Sequence, residues 1–135
     1  MPLACKRAIF PMLLMAVTLS GAAIAGAPRA NQEPVEVTVT AQPGFSFQPE
    51  QISVPAGAKV RLTLENAGVM GHNLNIPALG KMTRTITGDE TDTLTFTVGE
   101  VGTNTFRCEV PGHAEAGMVG ELKVTAPEHA NEPAS

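Results

Sequence analysis

The sequence has no tryptophan and no tyrosine, and only 5 phenylalanines and 2 cysteines among its 135 residues. Any core must therefore be built mainly from Val, Leu, Ile and the few Phe. Positive charge is also scarce. Nine Lys and Arg stand against 13 Asp and Glu, a formal net charge of -4, with no basic run and no arginine stripe. That balance argues against nucleic acid as a partner. No convincing amphipathic helix runs through the chain, whereas 13 Gly and 11 Pro punctuate it, which favours short strands joined by turns. The length suits one domain and not two.

The first 27 residues have the form of an export signal. Lys6 and Arg7 make a positive start, residues 8–24 are uncharged and mostly apolar, and Ala23-Ile24-Ala25 offers small residues for cleavage. The expected organisation is a signal over residues 1–25 (to 27 by the second cleavage option, Ala25-Gly26-Ala27), a flexible lead-in over 26–34, a folded domain over 35–125 and a disordered tail over 126–135. An uncleaved membrane anchor is the alternative, because the apolar stretch approaches the length that spans a bilayer. Cleavage would remove Lys6, Arg7 and Cys5. Seven basic residues would then face 13 acidic ones, about -6 with histidine neutral. It would also leave Cys108 as the one cysteine of an exported domain, with no partner for an internal disulfide. Such a thiol is either buried and inert or held by a metal.

A two-residue hydrophobic period marks the domain. Val35, Val37 and Val39 alternate with Glu36, Thr38 and Thr40. Val60, Leu62 and Leu64 do the same with Arg61, Thr63 and Glu65, and Leu94, Phe96 and Val98 with Thr93, Thr95 and Thr97. These are half-buried strands by pattern and by β-branched content. Shorter candidates are 45–47, 52–54, 73–76, 103–108 and 119–125. Turn residues separate them at Pro43-Gly44, Pro55-Ala56-Gly57, Asn66-Ala67-Gly68, 99–102 and Pro111-Gly112. Seven to eight short strands, each half apolar, predict an all-β sandwich of two sheets. The stretch 77–92 is the least regular, a loop with a short strand or one helical turn.

The chemistry concentrates in 106–118. Cys108, His113 and Met118 follow one another at C-x4-H-x4-M, and Gly71-His72-Asn73 supplies a second imidazole upstream. Cys108 falls on the same strand face as Phe106, Pro111-Gly112 turns the chain, and the mostly small residues 114–117 permit a tight loop. One loop between two strands would thus bring three donors together. A thiolate, two imidazoles and a weak thioether form the donor set of copper electron-transfer sites. Zinc also accepts one Cys and two His, but the soft fourth donor favours copper. Core filler is the lesser reading of Met118, and, taken alone, His72 is open between a ligand and an ordinary turn histidine. Met70 and Met82 read as apolar rim residues, Glu109 and Glu115 as solvent-facing acids, and His129 as a solvated tail residue.

These segments resemble the cupredoxins, the plastocyanin/azurin family of blue-copper proteins, over about residues 35–125. The matching pieces are Phe45-Ser46-Phe47 with Pro49, the stretch 52–57, Gly71-His72-Asn73, and 108–118 into Val119-Gly120. The ligand-loop spacing is like that of auracyanin and rusticyanin. The resemblance implies a Greek-key sandwich with one type 1 copper ion. It implies His72, Cys108 and His113 as equatorial ligands, Met118 as the axial one, and Asn73 as a brace of the ligand loop. The azurin disulfide has no counterpart, and 77–92 is too short for azurin's inserted helix. The expected role is a one-electron carrier and not an enzyme. Electrons would pass through the exposed edge of His113, inside an apolar rim of Val69, Met70, Pro111, Ala114, Ala116 and Gly117. The expected partner is a cytochrome or a copper oxidase or reductase, bound weakly to a monomer in the periplasmic or other extracytoplasmic space. A copper carrier or storage protein, and a ligand-binding or sensor module on the same sandwich, are the alternatives.

Overall fold

Alternation of apolar and polar residues produces the longest strands of the computed structural model, which describes residues 33–127. β1 (Val35–Ala41) and β4 (Lys59–Asn66) bury alternate side chains, as does β9 (Val119–Thr125). The remaining strands are β2 (Phe47–Gln48), β3 (Gln51–Pro55), β5 (Asn75–Ile76), β6 (Lys81–Met82), β7 (Thr91–Thr97) and β8 (Gly102–Arg107). Among the described residues there are thus nine strands, against the seven to eight expected. The additional pairing lies in 77–92, where a 3-10 turn over Pro77–Leu79 leads into β6. That stretch holds both a short strand and a helical turn. The supposed signal, the lead-in up to residue 32 and the tail from residue 128, His129 included, lie outside the described residues.

The strands form two sheets, ordered β2-β1-β4-β7 and β3-β9-β8-β5-β6. Both are mixed: β1 runs parallel to β4 and β3 parallel to β9, whereas the other pairs are antiparallel. One apolar cluster is shared by the two sheets. Val39, Leu62, Leu64 and Phe96 come from the first, and Ile52, Val54, Ile76, Phe106, Leu122 and Val124 from the second. Each sheet covers the apolar face of the other, as expected of a sandwich. With no Trp or Tyr, Phe47 and Phe106 provide the central rings, meeting edge to face at 5.4 Å. Among the described residues no helix is long and apolar enough to cross a membrane.

Two features of this architecture position the ligand candidates. First, β5 pairs with β8 through Asn75 opposite Arg107. Because the strands are antiparallel, the segment preceding Asn75 lies alongside the segment following Arg107. His72 is thereby brought next to the loop that begins at Cys108. Second, β8 and β9 are neighbours paired from Gly102 opposite Val124 to Arg107 opposite Val119. The residues between them must form a closed loop whose two ends, Cys108 and Met118, meet.

Candidate metal centre

The 108–118 loop is closed by backbone hydrogen bonds at each level. The Cys108 amide donates to the Met118 carbonyl at 3.1 Å, and the Met118 amide donates to the His113 carbonyl at 3.0 Å. The His113 amide donates to Val110 at 3.0 Å, that of Ala116 to Gly112 at 3.1 Å, and that of Gly117 to Ala114 at 3.0 Å. Gly112 has φ 83° and Gly117 φ 109°, backbone that side-chain-bearing residues rarely adopt. The Pro111-Gly112 turn read from the sequence is therefore a tight turn that returns His113 toward Cys108.

His72 lies just ahead of β5 in an isolated bridge with Ile86. Its amide donates to the Ile86 carbonyl at 2.9 Å, and the Ile86 amide donates back at 2.8 Å. The same ladder continues at Leu74, whose amide donates to the Thr83 hydroxyl at 3.0 Å, while the Thr83 amide donates to the Leu74 carbonyl. The irregular stretch 77–92 thus supplies the other limb of the support for His72. Asn73 extends it in two directions. Its Nδ2 donates to Thr85 Oγ1 at 3.1 Å, and its Oδ1 accepts the Glu109 amide at 2.7 Å. The His72 segment is thereby tied directly to the residue after Cys108, the bracing role that the resemblance implied for Asn73.

These supports bring one donor atom each from His72, Cys108 and His113 within 4.8 Å of one another, all three residues buried. Cys108 Sγ and His113 Nδ1 are 3.5 Å apart, and the two imidazoles lie 5.0 Å apart at 56°. Met118 is fully buried in the same cluster as Cys108. The two ring nitrogens of His72 are buried with no hydrogen-bond partner. A buried polar group left unsatisfied costs about 1–3 kcal/mol, and coordination of a metal is the chemistry that relieves it. Burial first, and the charge of His113 second, hold His72 below the ordinary imidazole value. That favours the neutral ring, the form that ligates a metal. One thiolate, two imidazoles and a neighbouring thioether residue fit one type 1 copper ion.

The surface above the site differs in detail from the sequence reading. His113 is not broadly exposed: 6% of its surface reaches solvent, against none for His72. Phe45, from the loop between β1 and β2, packs against it, its ring edge-on to His113 at 4.9 Å. Phe45 is itself 43% exposed and belongs to the rim, a role that no local pattern announced because it lies on a sequence-distant loop. Val69 and Met70 are exposed apolar residues as expected, and Pro111, Ala116 and Gly117 are exposed, whereas Ala114 is half-buried. Met82 is exposed on β6. Glu115 is exposed. Glu109 is more than a solvent-facing acid, since its carboxylate accepts from Asn75 and from Arg107, each at 2.7 Å. Those bonds hold its pKa below the usual carboxylate value, Asn75 contributing most.

The family model described as the cupredoxin-like domain matches residues 9–120. Comparison with curated protein sequences gives no significant match. Among solved structures the chain is similar to auracyanin B, with 27% identity, a TM-score of 0.61, and coverage of 71% of this chain and 93% of that one. It is also similar to auracyanin A, a "blue" copper protein of the green thermophilic photosynthetic bacterium Chloroflexus aurantiacus. There the identity is 22%, the TM-score 0.60, and the coverage 69% and 100%. A third likeness is to the metal-binding domain of the Cu(I)-exporting P-type ATPase of Streptococcus pneumoniae, with Cu(I). It has 19% identity, a TM-score of 0.57, and coverage of 71% and 91%.

Proposed function

This chain belongs to the cupredoxin-like domain family, and from that premise we propose that it is a type 1 blue-copper protein that carries single electrons. His72, Cys108 and His113 would hold the copper ion, with Met118 as a fourth, softer donor. The observation that carries this reading is the buried convergence of the three donor atoms within 4.8 Å, around an imidazole with no other partner. Copper held by such donors supplies a reversible one-electron couple.

The chain's own residues do the rest. The stapled loop and the Asn73 brace hold the donors in place, so that little has to move between oxidation states. Four protein donors leave no position for a substrate, which favours a carrier over an enzyme. His113 is assigned as the point of exchange because it alone of the two imidazoles reaches the surface. Phe45 packs against that point, and with the exposed apolar residues Val69, Met70 and Pro111 it is proposed to offer a surface for brief docking of a cytochrome or a copper oxidase or reductase. The export-signal pattern of the first 25 residues supports a periplasmic or other extracytoplasmic place of work.

The likeness to the copper-exporter domain favours a second reading, a copper carrier that hands the ion to a partner. Titration of the protein with Cu(II) separates the two. An electron carrier develops an intense visible thiolate-to-copper band, cycles reversibly under voltammetry, and loses the band in Cys108→Ala. A colourless Cu(II) complex, or colour retained in Cys108→Ala, rules out the blue-copper assignment. Colour without reversible cycling favours the copper carrier.

A further inference from the structure

Asn66 ends β4 and is 3% exposed, yet it is polar and is not assigned as a ligand. Its side chain is fully used. Nδ2 donates to the Met70 carbonyl at 2.7 Å and to the Ile86 carbonyl at 2.9 Å, and Oδ1 accepts the Gly68 amide at 2.9 Å. Its backbone is held as well, the amide donating to Glu90 and the carbonyl accepting from Asp89, each at 3.1 Å. One residue therefore closes the loop 66–70 and ties it to the strand limb that carries Ile86.

The Ile86 carbonyl is the junction. It accepts from Asn66 Nδ2 and also from the His72 amide. A metal-ligating histidine ordinarily has its second ring nitrogen fixed by a hydrogen bond, which sets the ring's orientation. His72 has no such bond on either nitrogen. The orientation of its ring then depends on packing and on its backbone, and its backbone is paired to Ile86. We infer that Asn66 is the positioning residue of the His72 ligand, acting through the shared Ile86 carbonyl and the closed 66–70 loop. The inference rests on the assignment of His72 as a ligand, but the clamp itself does not depend on the metal.

The test compares Asn66→Ala and Asn66→Asp with the wild-type chain, using Val54→Ala, a core change on β3, as the control for stability alone. Asn66→Ala removes every side-chain bond. Asn66→Asp keeps the acceptor for Gly68 but turns a carboxylate oxygen toward two carbonyl oxygens. In metal-free wild-type protein the two Asn66 Nδ2 protons exchange slowly in NMR. In the Asn66 variants the His72 and Ile86 amides exchange faster, while those of the β8–β9 ladder are protected as before, relative to Val54→Ala. With copper, the Asn66 variants shift the visible spectrum and the reduction potential, and their copper affinity falls at least about tenfold, the usual effect of losing a ligand's support. Val54→Ala changes stability only. Rapid exchange of the wild-type Nδ2 protons overturns the clamp, and that measurement needs no folded variant. Asn66 variants that lose stability like Val54→Ala but keep the wild-type spectrum, potential and affinity overturn the positioning role. If the wild-type protein fails to colour with Cu(II), the copper reading falls instead, and amide exchange in the metal-free protein still decides the clamp.

Discussion

At the scale of single residues, Met118 has the least direct chemical warrant of the four ligand candidates, and substitution tests it cleanly. Its backbone is held between Cys108 and His113, so Met118→Leu should keep the loop closed and the volume filled. The variant should still bind copper, with a higher reduction potential because a donor to Cu(II) is lost. Voltammetry of the copper-loaded variant reads this directly, and an unchanged potential removes Met118 from the axial role. The spacing of Cys108, His113 and Met118 was legible in the sequence because one loop carries all three. Phe45 and Asn66 were not legible as site residues. Phe45 acts across space from another loop, and Asn66 stood in a turn signal whose side-chain bonds depend on where Met70 and Ile86 come to lie.

At the scale of elements, the strands with several alternations could be read directly, whereas β5 was legible only as part of the short candidate 73–76 and β6 only as an unplaced short strand within 77–92. Two residues are too few to show a period, and their pairing exists only because β8 is alongside. The glycine at 120 shows a constraint of the same kind. A Cβ there would run into the Phe106 ring, and would lie 2.6 Å from the Glu50 carbonyl oxygen. Neither neighbour can yield easily, since Phe106 is fully buried and the Glu50 carbonyl accepts the Glu121 amide at 2.7 Å. Gly120→Ala should therefore destabilise the protein by about 1–3 kcal/mol, the usual cost of overpacking a core. Because β9 begins beside Met118, the copper spectrum should shift as well. Denaturant unfolding gives the first quantity, and wild-type stability in the variant would show that β8 and β9 part more easily than their packing implies.

At the scale of the whole molecule, charge and surface divide the work. The chain is net acidic at -4, while Phe45 beside His113 and the residues Val69 and Met70 are exposed and apolar. On the proposed function, overall charge would steer a basic partner over distance and the exposed apolar residues would govern final contact. The rate of electron exchange with a basic redox protein should therefore fall as salt rises, over the range in which the screening length shrinks toward about 10 Å and below. Stopped-flow measurement at varied ionic strength checks this, and a rate indifferent to salt removes charge steering from the account. Replacing Val69 or Met70 would be a different perturbation, since on the proposed function it would act on the contact and not on the approach.

By itself the sequence determined the class of fold, through strand periodicity and turn residues, and grouped three of the four ligand candidates, Cys108, His113 and Met118, through a loop short enough for spacing to imply proximity. Periodicity and short loops are local properties, and local properties are written along the chain. Only the tertiary structure decided how His72 is held, why His113 opens to solvent by so little, and which irregular segment braces the site. Each of these depends on β5 lying against β8, on Ile86 lying opposite His72, and on Phe45 lying over His113. Contacts between sequence-distant residues are set by how two sheets share one core, and no period or spacing along the chain encodes them.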